Sequence, residues 1–392
     1  MAGKMDSTFV FNAPQTSVFG KQALDQLPQL VKDFEVDKVL VVTDGFFVKN
    51  GLISQMTAKL EDEGIQVSVF ADVQPDPTLD NVYEGLDRLL ACEAGLIIGI
   101  GGGSPIDAAK AISILATNPK PLQQYMGYHK IKYAAMPLIA IPTTAGTGSE
   151  ATKVAVITDS VHNVKMMMLD KHLMPTASIV DYTLTMSMPG DLTAYVGVDT
   201  LTHGIEAYVS KKANPISDPL AMACIKAVSR HMKDAWNRPD SEAARYGMST
   251  AAYLGGIAFT NSSVCLVHGM SRPLGAVFHL AHGFSNAILL PTVVEYSIHG
   301  APERYAEIAR EMGYAQPGQS TEAAGYNLIK GLKQLNKELQ IPKLGECGKV
   351  DYHLFRSSLE KMASDALASG SPLNNPIVPT VEEIVDLYLK AW

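Results

Sequence analysis

From Lys38 to about residue 190 the chain alternates short β-branched runs with amphipathic stretches, and this rhythm restricts the fold more than any other feature. The runs are Lys38–Thr43 (KVLVVT), Gln66–Ala71, Leu96–Ile100, Pro137–Ile141, Val154–Thr158 and Ser178–Asp181. Several are apolar throughout, which suits strands whose sheet is covered on both faces. The stretches 21–33, 47–63, 79–92 and 105–117 are the candidate covering helices. A doubly wound, mostly parallel α/β sheet is therefore predicted. After Met188-Pro189-Gly190 the valine-rich runs give way to Ala, Leu and Met at helical spacing. An all-α second half is predicted, dividing the 392 residues into domains 1–188 and 189–392.

The segment Gly99-Ile100-Gly101-Gly102-Gly103-Ser104-Pro105-Ile106-Asp107 follows a predicted strand and opens a helix. In that setting clustered glycines can receive a pyrophosphate at a positive helix end. Ser104 reads as the N-cap, Pro105 as the first helical residue and Asp107 as a carboxylate accepting from exposed backbone amides. A strand-to-helix turn without a ligand reads similarly, and the spacing is not G-x-G-x-x-G. Pro142–Glu150 (PTTAGTGSE) follows another strand and offers hydroxyls to phosphate or ribose, although a structural turn looks alike. Asp44 closes KVLVVTD, where a carboxylate accepts from ribose hydroxyls and repels a 2′-phosphate, favouring NAD over NADP. It would equally cap a helix starting near Phe46.

Asp199 and His203, in GVDTLTHGIEAY, are four residues apart and share one helix face. Alone, such a pair is often no more than a solvated one. His268 and His282, in VHGMSRPLGAVFHLAHG, would stand about 21 Å apart on a straight helix, too far to share an ion. Pro273, Gly275 and Gly283 permit a turn, so that His268 ends one helix and His282 starts another. One carboxylate with imidazoles suits Fe(II), Zn(II), Mn(II) or Ni(II), with a position open to substrate.

Net charge is −8 with no basic run, which disfavours a nucleic-acid backbone or an anionic membrane surface as partner. Cys92, Cys224, Cys265 and Cys347 are scattered without C-x-x-C spacing; reduced thiols in a cytoplasm fit best. The N-terminal MAGKMDSTFVFNAPQ lacks a signal peptide's apolar core, and no stretch approaches the ~20 apolar residues that span a bilayer. A soluble cytoplasmic protein is expected.

The Asp44 strand end, GGGSPIDAAK, PTTAGTGSE, GVDTLTHGIEAY, HGMSRPLG, AHGFSNAILLP and NPIVPTVEEI, in this order, resemble the iron-containing (group III) alcohol dehydrogenases over nearly the whole chain. The resemblance implies a Rossmann-like NAD(P)-binding α/β domain, a helical domain and an active site in the cleft between them. It implies iron, or zinc or another divalent ion, held by Asp199, His203, His268 and His282. Cofactor contacts are implied at Asp44, Gly101, Gly102, Gly103, Ser104, Thr143, Thr144, Thr147, Ser149 and Lys165, and Asp107 is grouped with them at the helix start. A homo-oligomer, dimer or higher, is expected. The chain departs from many relatives at Arg272, where a histidine is common, and at Ile377 and Asp76, where arginine and asparagine are common. His279 is an imidazole that some relatives lack.

The implied chemistry is reversible hydride transfer between NAD(H) and a small primary alcohol or its aldehyde. Phe259 is expected to wall the pocket; His279 passes a proton to solvent or is simply packed. Arg272 either binds the acid group of a substrate such as succinic semialdehyde or sulfoacetaldehyde, or makes a structural ion pair. Two rival classes stand beside this. A lyase of the dehydroquinate synthase type shares the two-domain layout but needs a basic cluster that is missing near the ligands. A non-catalytic NAD sensor would have no turnover to lose on metal removal.

Overall fold

In the computed structural model, which describes residues 8–162 and 164–392, the apolar runs become strands. They are β1 (Thr16–Phe19), β2 (Lys38–Val42), β3 (Gln66–Phe70), β4 (Leu96–Gly101), β5 (Gly127–Tyr128), β6 (Leu138–Pro142), β7 (Val154–Asp159), β8 (Val164–Leu169) and β9 (Ala177–Val180). Six of them form one parallel sheet in the order β1-β9-β6-β4-β2-β3. Along β2, Leu40 and Val42 enter one core while Val39 and Val41 enter the other. In β4, Ile97 enters the first core and Leu96, Ile98 and Ile100 enter the second. Each fully buried aliphatic side chain contributes about 1.5–3 kcal/mol, so exposing either face of these strands would forfeit several such contributions at once.

The covering helices are α1 (Leu27–Lys32), α2 (Gly45–Lys49), α3 (Leu52–Asp62), α4 (Leu79–Cys92) and α5 (Gly103–Leu115). The stretch predicted as one helix over 47–63 is two, because the Asn50 carboxamide accepts from Leu52 N at 3.0 Å and starts α3 afresh. These elements belong to a compact unit, Asn12–Met186.

One strand departs from the expectation. Val154–Thr158 is not in the parallel sheet; β7 pairs antiparallel with β8, and β8 pairs with β5. Its burial alternates residue by residue, as expected of a strand with one covered face. The sequence reading passed over β8 and the edge strand β1, which lack long β-branched runs.

From β2 the chain moves outward to β3, then returns past β2 to β4 and onward to β6. The direction reverses between β2 and β4, and ligands bind such sheets at the carboxyl ends of the strands flanking that reversal. Asp44 follows β2, the glycine loop ends β4, and Thr143 follows β6.

A second compact unit contains Ser187–Trp392 and the described N-terminal residues through Phe11. Its helices are α6 (Gly190–Val209), α7 (Ser217–Asn237), α8 (Glu242–Ser262), α9 (Leu266–Phe278), α10 (His282–Ser297), α11 (Pro302–Glu311), α12 (Thr321–Glu338), α13 (Tyr352–Ala368) and α14 (Val381–Ala391). Ala207, Ala221 and Ala258 bring α6, α7 and α8 close together. No single described helix is long and apolar enough to cross a membrane.

His282 starts α10 as expected, but His268 does not end a helix: it is near the start of α9. Pro273 lies inside α9, and the turn falls instead at His279-Leu280-Ala281, with His279 left-handed at φ +53°. A proline inside a helix costs about 3 kcal/mol. Here Leu266–Ser271 and Pro273–Gly275 are buried, and packing of that length outweighs the cost.

Candidate metal centre and cofactor edge

Three helices supply the four candidate ligands. Asp199 and His203 lie one turn apart on α6, His268 lies on α9, and His282 opens α10. Asp199 Oδ1 is 3.6 Å from His268 Nε2, 3.8 Å from His203 Nε2 and 3.9 Å from His282 Nε2. The donor atoms of Asp199, His268 and His282 all lie within 4.8 Å of one another. Gly283 makes this approach possible, because a Cβ there would stand 2.8 Å from Tyr195 O on α6. Tyr195 and Phe284 then pack at 4.9 Å between ring centroids and fix α10 against α6.

Asp199, His203 and His268 are buried, whereas the His282 side chain is 46% exposed. Burial holds His268 well below the ordinary histidine range, with His203 adding to the effect. It is therefore neutral, the form that binds a metal. The His203 ring stacks on His268 at 4.7 Å and on Phe259 at 4.4 Å. Phe259 thus supports a candidate ligand.

Glu206, one turn beyond His203 on α6, orients the centre from behind. Its Oε2 accepts from His268 Nδ1 at 2.7 Å and from Cys265 N at 2.8 Å; its Oε1 accepts from Val267 N at 2.6 Å. With the proton on Nδ1, His268 turns the lone pair of Nε2 toward Asp199. Burial pushes the Glu206 carboxyl up to about 7, opposed by the two backbone amides. Asn286, one turn after His282 and fully buried, directs Nδ2 toward Asp199 Oδ1 at 2.6 Å, His282 Nε2 at 3.1 Å and His268 Nε2 at 3.2 Å. The sequence reading named neither residue. Residues 199, 203 and 206 fall on one helical face, a signal that would have found Glu206. One carboxylate and two imidazoles with converging donor atoms, with the His203 imidazole beside the carboxylate, fit a divalent cation.

At the cofactor edge Gly101 adopts φ +147°, and a Cβ there would lie 2.6 Å from Pro105 Cγ. Thr143 N donates to Gly101 O at 2.9 Å, tying the loop after β6 to the one after β4. Gly102 and Gly103 lie against Thr144 and Thr147. The cap differs from the prediction: Gly102 is the N-cap and α5 begins at Gly103, so Ser104 and Pro105 are already helical. Asp107 does not accept from the first-turn amides, being too far into the helix. Its carboxylate accepts from Ser149 Oγ at 2.6 Å and Val156 N at 2.9 Å.

Ser149 in turn accepts from Lys110 Nζ at 2.9 Å, and Lys110 also donates to Thr152 Oγ1 and Val154 O. Ser149 and Asp107 thus belong to an internal polar cluster that fastens α5 to the loop after β6. Lys110 is another residue the sequence reading passed over. Asp44 caps α2, its Oδ1 accepting from Phe46 N at 2.9 Å, the structural role weighed for it above. Lys165 donates to Asp76 Oδ1 at 2.8 Å, so the departure at Asp76 pairs with a candidate cofactor contact.

Two buried hydroxyls at this edge, Thr43 Oγ1 after β2 and Thr143 Oγ1 after β6, make no hydrogen bond. Leaving a buried donor unmade costs about 1–3 kcal/mol. Two such groups flanking the glycine loop fit a polar ligand, such as the phosphate or ribose of a dinucleotide.

The remaining candidates lie near the metal centre in sequence. Arg272 Nη1 donates to Ser371 Oγ at 2.9 Å, and His279 is exposed at the turn between α9 and α10.

Comparison with known proteins accounts for both units. Residues 14–182 match the model of the iron-containing alcohol dehydrogenases, and residues 193–392 match that of the C-terminal part of the same family. The chain is 36% identical to the NAD-dependent methanol dehydrogenase of Bacillus methanolicus, over 97% of this chain and 99% of that protein. It is 35% identical to the lactaldehyde reductase of Escherichia coli K12, over 96% and 98%. A crystal structure of a 1,3-propanediol oxidoreductase matches with a TM-score of 0.95 at 34% identity, covering 98% of this chain and 100% of that one. With both units matched and the relatives spanned almost from end to end, the chain belongs to the iron-containing alcohol dehydrogenase family.

Proposed function

We propose that this oxidoreductase is an NAD- and divalent-metal-dependent alcohol dehydrogenase that also works as an aldehyde reductase on small substrates. One observation carries the reading: the donors of Asp199, His268 and His282, from three helices, converge, and Glu206 presents the lone pair of His268 to the same point. The names of the relatives support it, since they include a methanol dehydrogenase and a lactaldehyde reductase. Residues 1–188 are assigned to the cofactor and 189–392 to the metal.

When bound, a divalent cation serves as a Lewis acid toward the substrate oxygen and NAD accepts the hydride. Asp199, His203, His268 and His282 are assigned as ligands, with Fe(II) first and Zn(II), Mn(II) or Ni(II) suiting the same donors. Gly101, Gly102, Gly103 and Ser104 are assigned to the pyrophosphate at the start of α5. Thr43, Thr143, Thr144 and Thr147 would offer hydroxyls, and Asp44 and Lys165 would bound the site. Ser149 and Asp107 hold those loops from within. His279, exposed and three residues before His282, is assigned the proton exit. Arg272 donates to Ser371, and neutral substrates are proposed from the names of relatives such as the methanol dehydrogenase and the lactaldehyde reductase. The unpaired cysteines support a cytoplasmic setting, and a homo-oligomer is proposed on the family resemblance alone.

The test is NADH oxidation by small aldehydes before and after chelation, with each cation restored in turn. Turnover should vanish on chelation and return with metal while NADH binding persists throughout. Turnover that survives complete metal removal would overturn the assignment.

A further inference from the structure

Asn286, itself outside the ligand set, reaches three of the four candidate ligands, and it does so through a single atom. Nδ2 carries two N–H groups and faces three acceptors: Asp199 Oδ1 at 2.6 Å, His282 Nε2 at 3.1 Å and His268 Nε2 at 3.2 Å. These are the lone pairs a cation needs. His268 has no other way to turn, because its Nδ1 is committed to Glu206. Asn286 is 0% exposed and sits one helical turn after His282, so it cannot swing into solvent. Its Oδ1 is buried without a hydrogen bond, so the contacts of Nδ2 alone hold the carboxamide's orientation.

We propose that Asn286 competes with the divalent cation for the lone pairs of Asp199, His268 and His282 and thereby sets how tightly the centre holds its metal. The inference rests on the metal-ligand assignment above. An N–H donor and a cation cannot use one lone pair together, so binding metal requires these hydrogen bonds to break. Their loss subtracts from the affinity that the four donors would have alone. The centre is then tuned below its maximum, and the tuning residue is not itself a ligand.

The experiment uses the full-length protein, stripped by a chelator, with Zn(II) and Co(II) affinities measured by competition against a chromophoric chelator. Thermal stability is recorded with and without metal. Asn286→Ala should bind both ions about ten-fold more tightly. Its metal-free form should lose more stability than its metal-loaded form, widening the metal-induced rise in Tm. Unchanged or weaker affinity, or equal losses in both forms, would overturn the proposal and leave Asn286 a packing or supporting residue. Asn286→Asp keeps the shape without the donor and covers the case in which the alanine variant does not fold. It too should bind more tightly, and a gain confined to Asp with Ala unchanged would point to added charge and refute competition. If the wild type binds neither ion, the ligand assignment falls, and this inference with it.

Discussion

At Glu206 one carboxylate accepts three N–H groups, two from the backbone and one from His268. A glutamine there would place an NH2 group against other donors and release the ring from its tautomer. Glu206→Gln should therefore weaken divalent-metal affinity about 10- to 100-fold, the usual size of such an outer-shell loss. Chelator competition measures it directly, and an unchanged constant would mean that packing alone orients His268. At this scale the sequence was partly legible. Asp199 and His203 declare themselves by helical spacing, whereas Asn286 has no local signal, because its partners come together only when α6, α9 and α10 pack.

Among the elements, the contact of α10 with α6 is the most exacting, since it passes through the backbone at Gly283. Gly283→Ala would press a methyl group against Tyr195 O and move His282 away from Asp199. Overpacking of this kind costs about 1–3 kcal/mol. Lower Tm and weaker metal binding are expected together, whereas loss of stability with full metal affinity would show that α10 yields elsewhere. The central strands β2, β3, β4, β6 and β9 and the helices α4 and α5 of the first unit were readable because apolar periodicity fixes them, whereas the short or less β-branched β1, β5 and β8 were not. The start of α5 was not, because Ser104 and Pro105 suit a cap as well as a first turn, and Gly102 took the cap. Pro273 misled for a similar reason: its local cost is real, and burial of α9 exceeds it.

For the molecule as a whole, the buried charges of the first unit set a pH dependence of stability. Burial pushes Glu150 up to about 7 from 4.5 and Lys110 down to about 8 from 10.5. The folded protein thus holds the Glu150 proton longer than the unfolded chain, and this part of its stability drains as pH rises from 4.5 to 7. Lys110 releases its proton earlier when folded, so its contribution recovers between pH 8 and 10.5. Glu150→Gln should gain on the wild type in urea-unfolding free energy across the first window; a constant difference would assign the slope to other groups. The two-part architecture was visible from the change in composition near Met188. The polar cluster of Lys110, Asp107 and Ser149 was not, since its members join segments about forty residues apart.

The edge strand β1 has a consequence in time. Among the described residues it pairs with β9, and Leu24 N, just beyond it, donates to Asp181 across 157 residues of chain. During synthesis β1 cannot join β9 until nearly the whole unit has emerged, because β9 is the last strand to be made. Contacts this distant in sequence also slow folding. Strands β2, β3, β4 and β6 can assemble first, so the strand ends that carry the glycine loop can form before the sheet is complete.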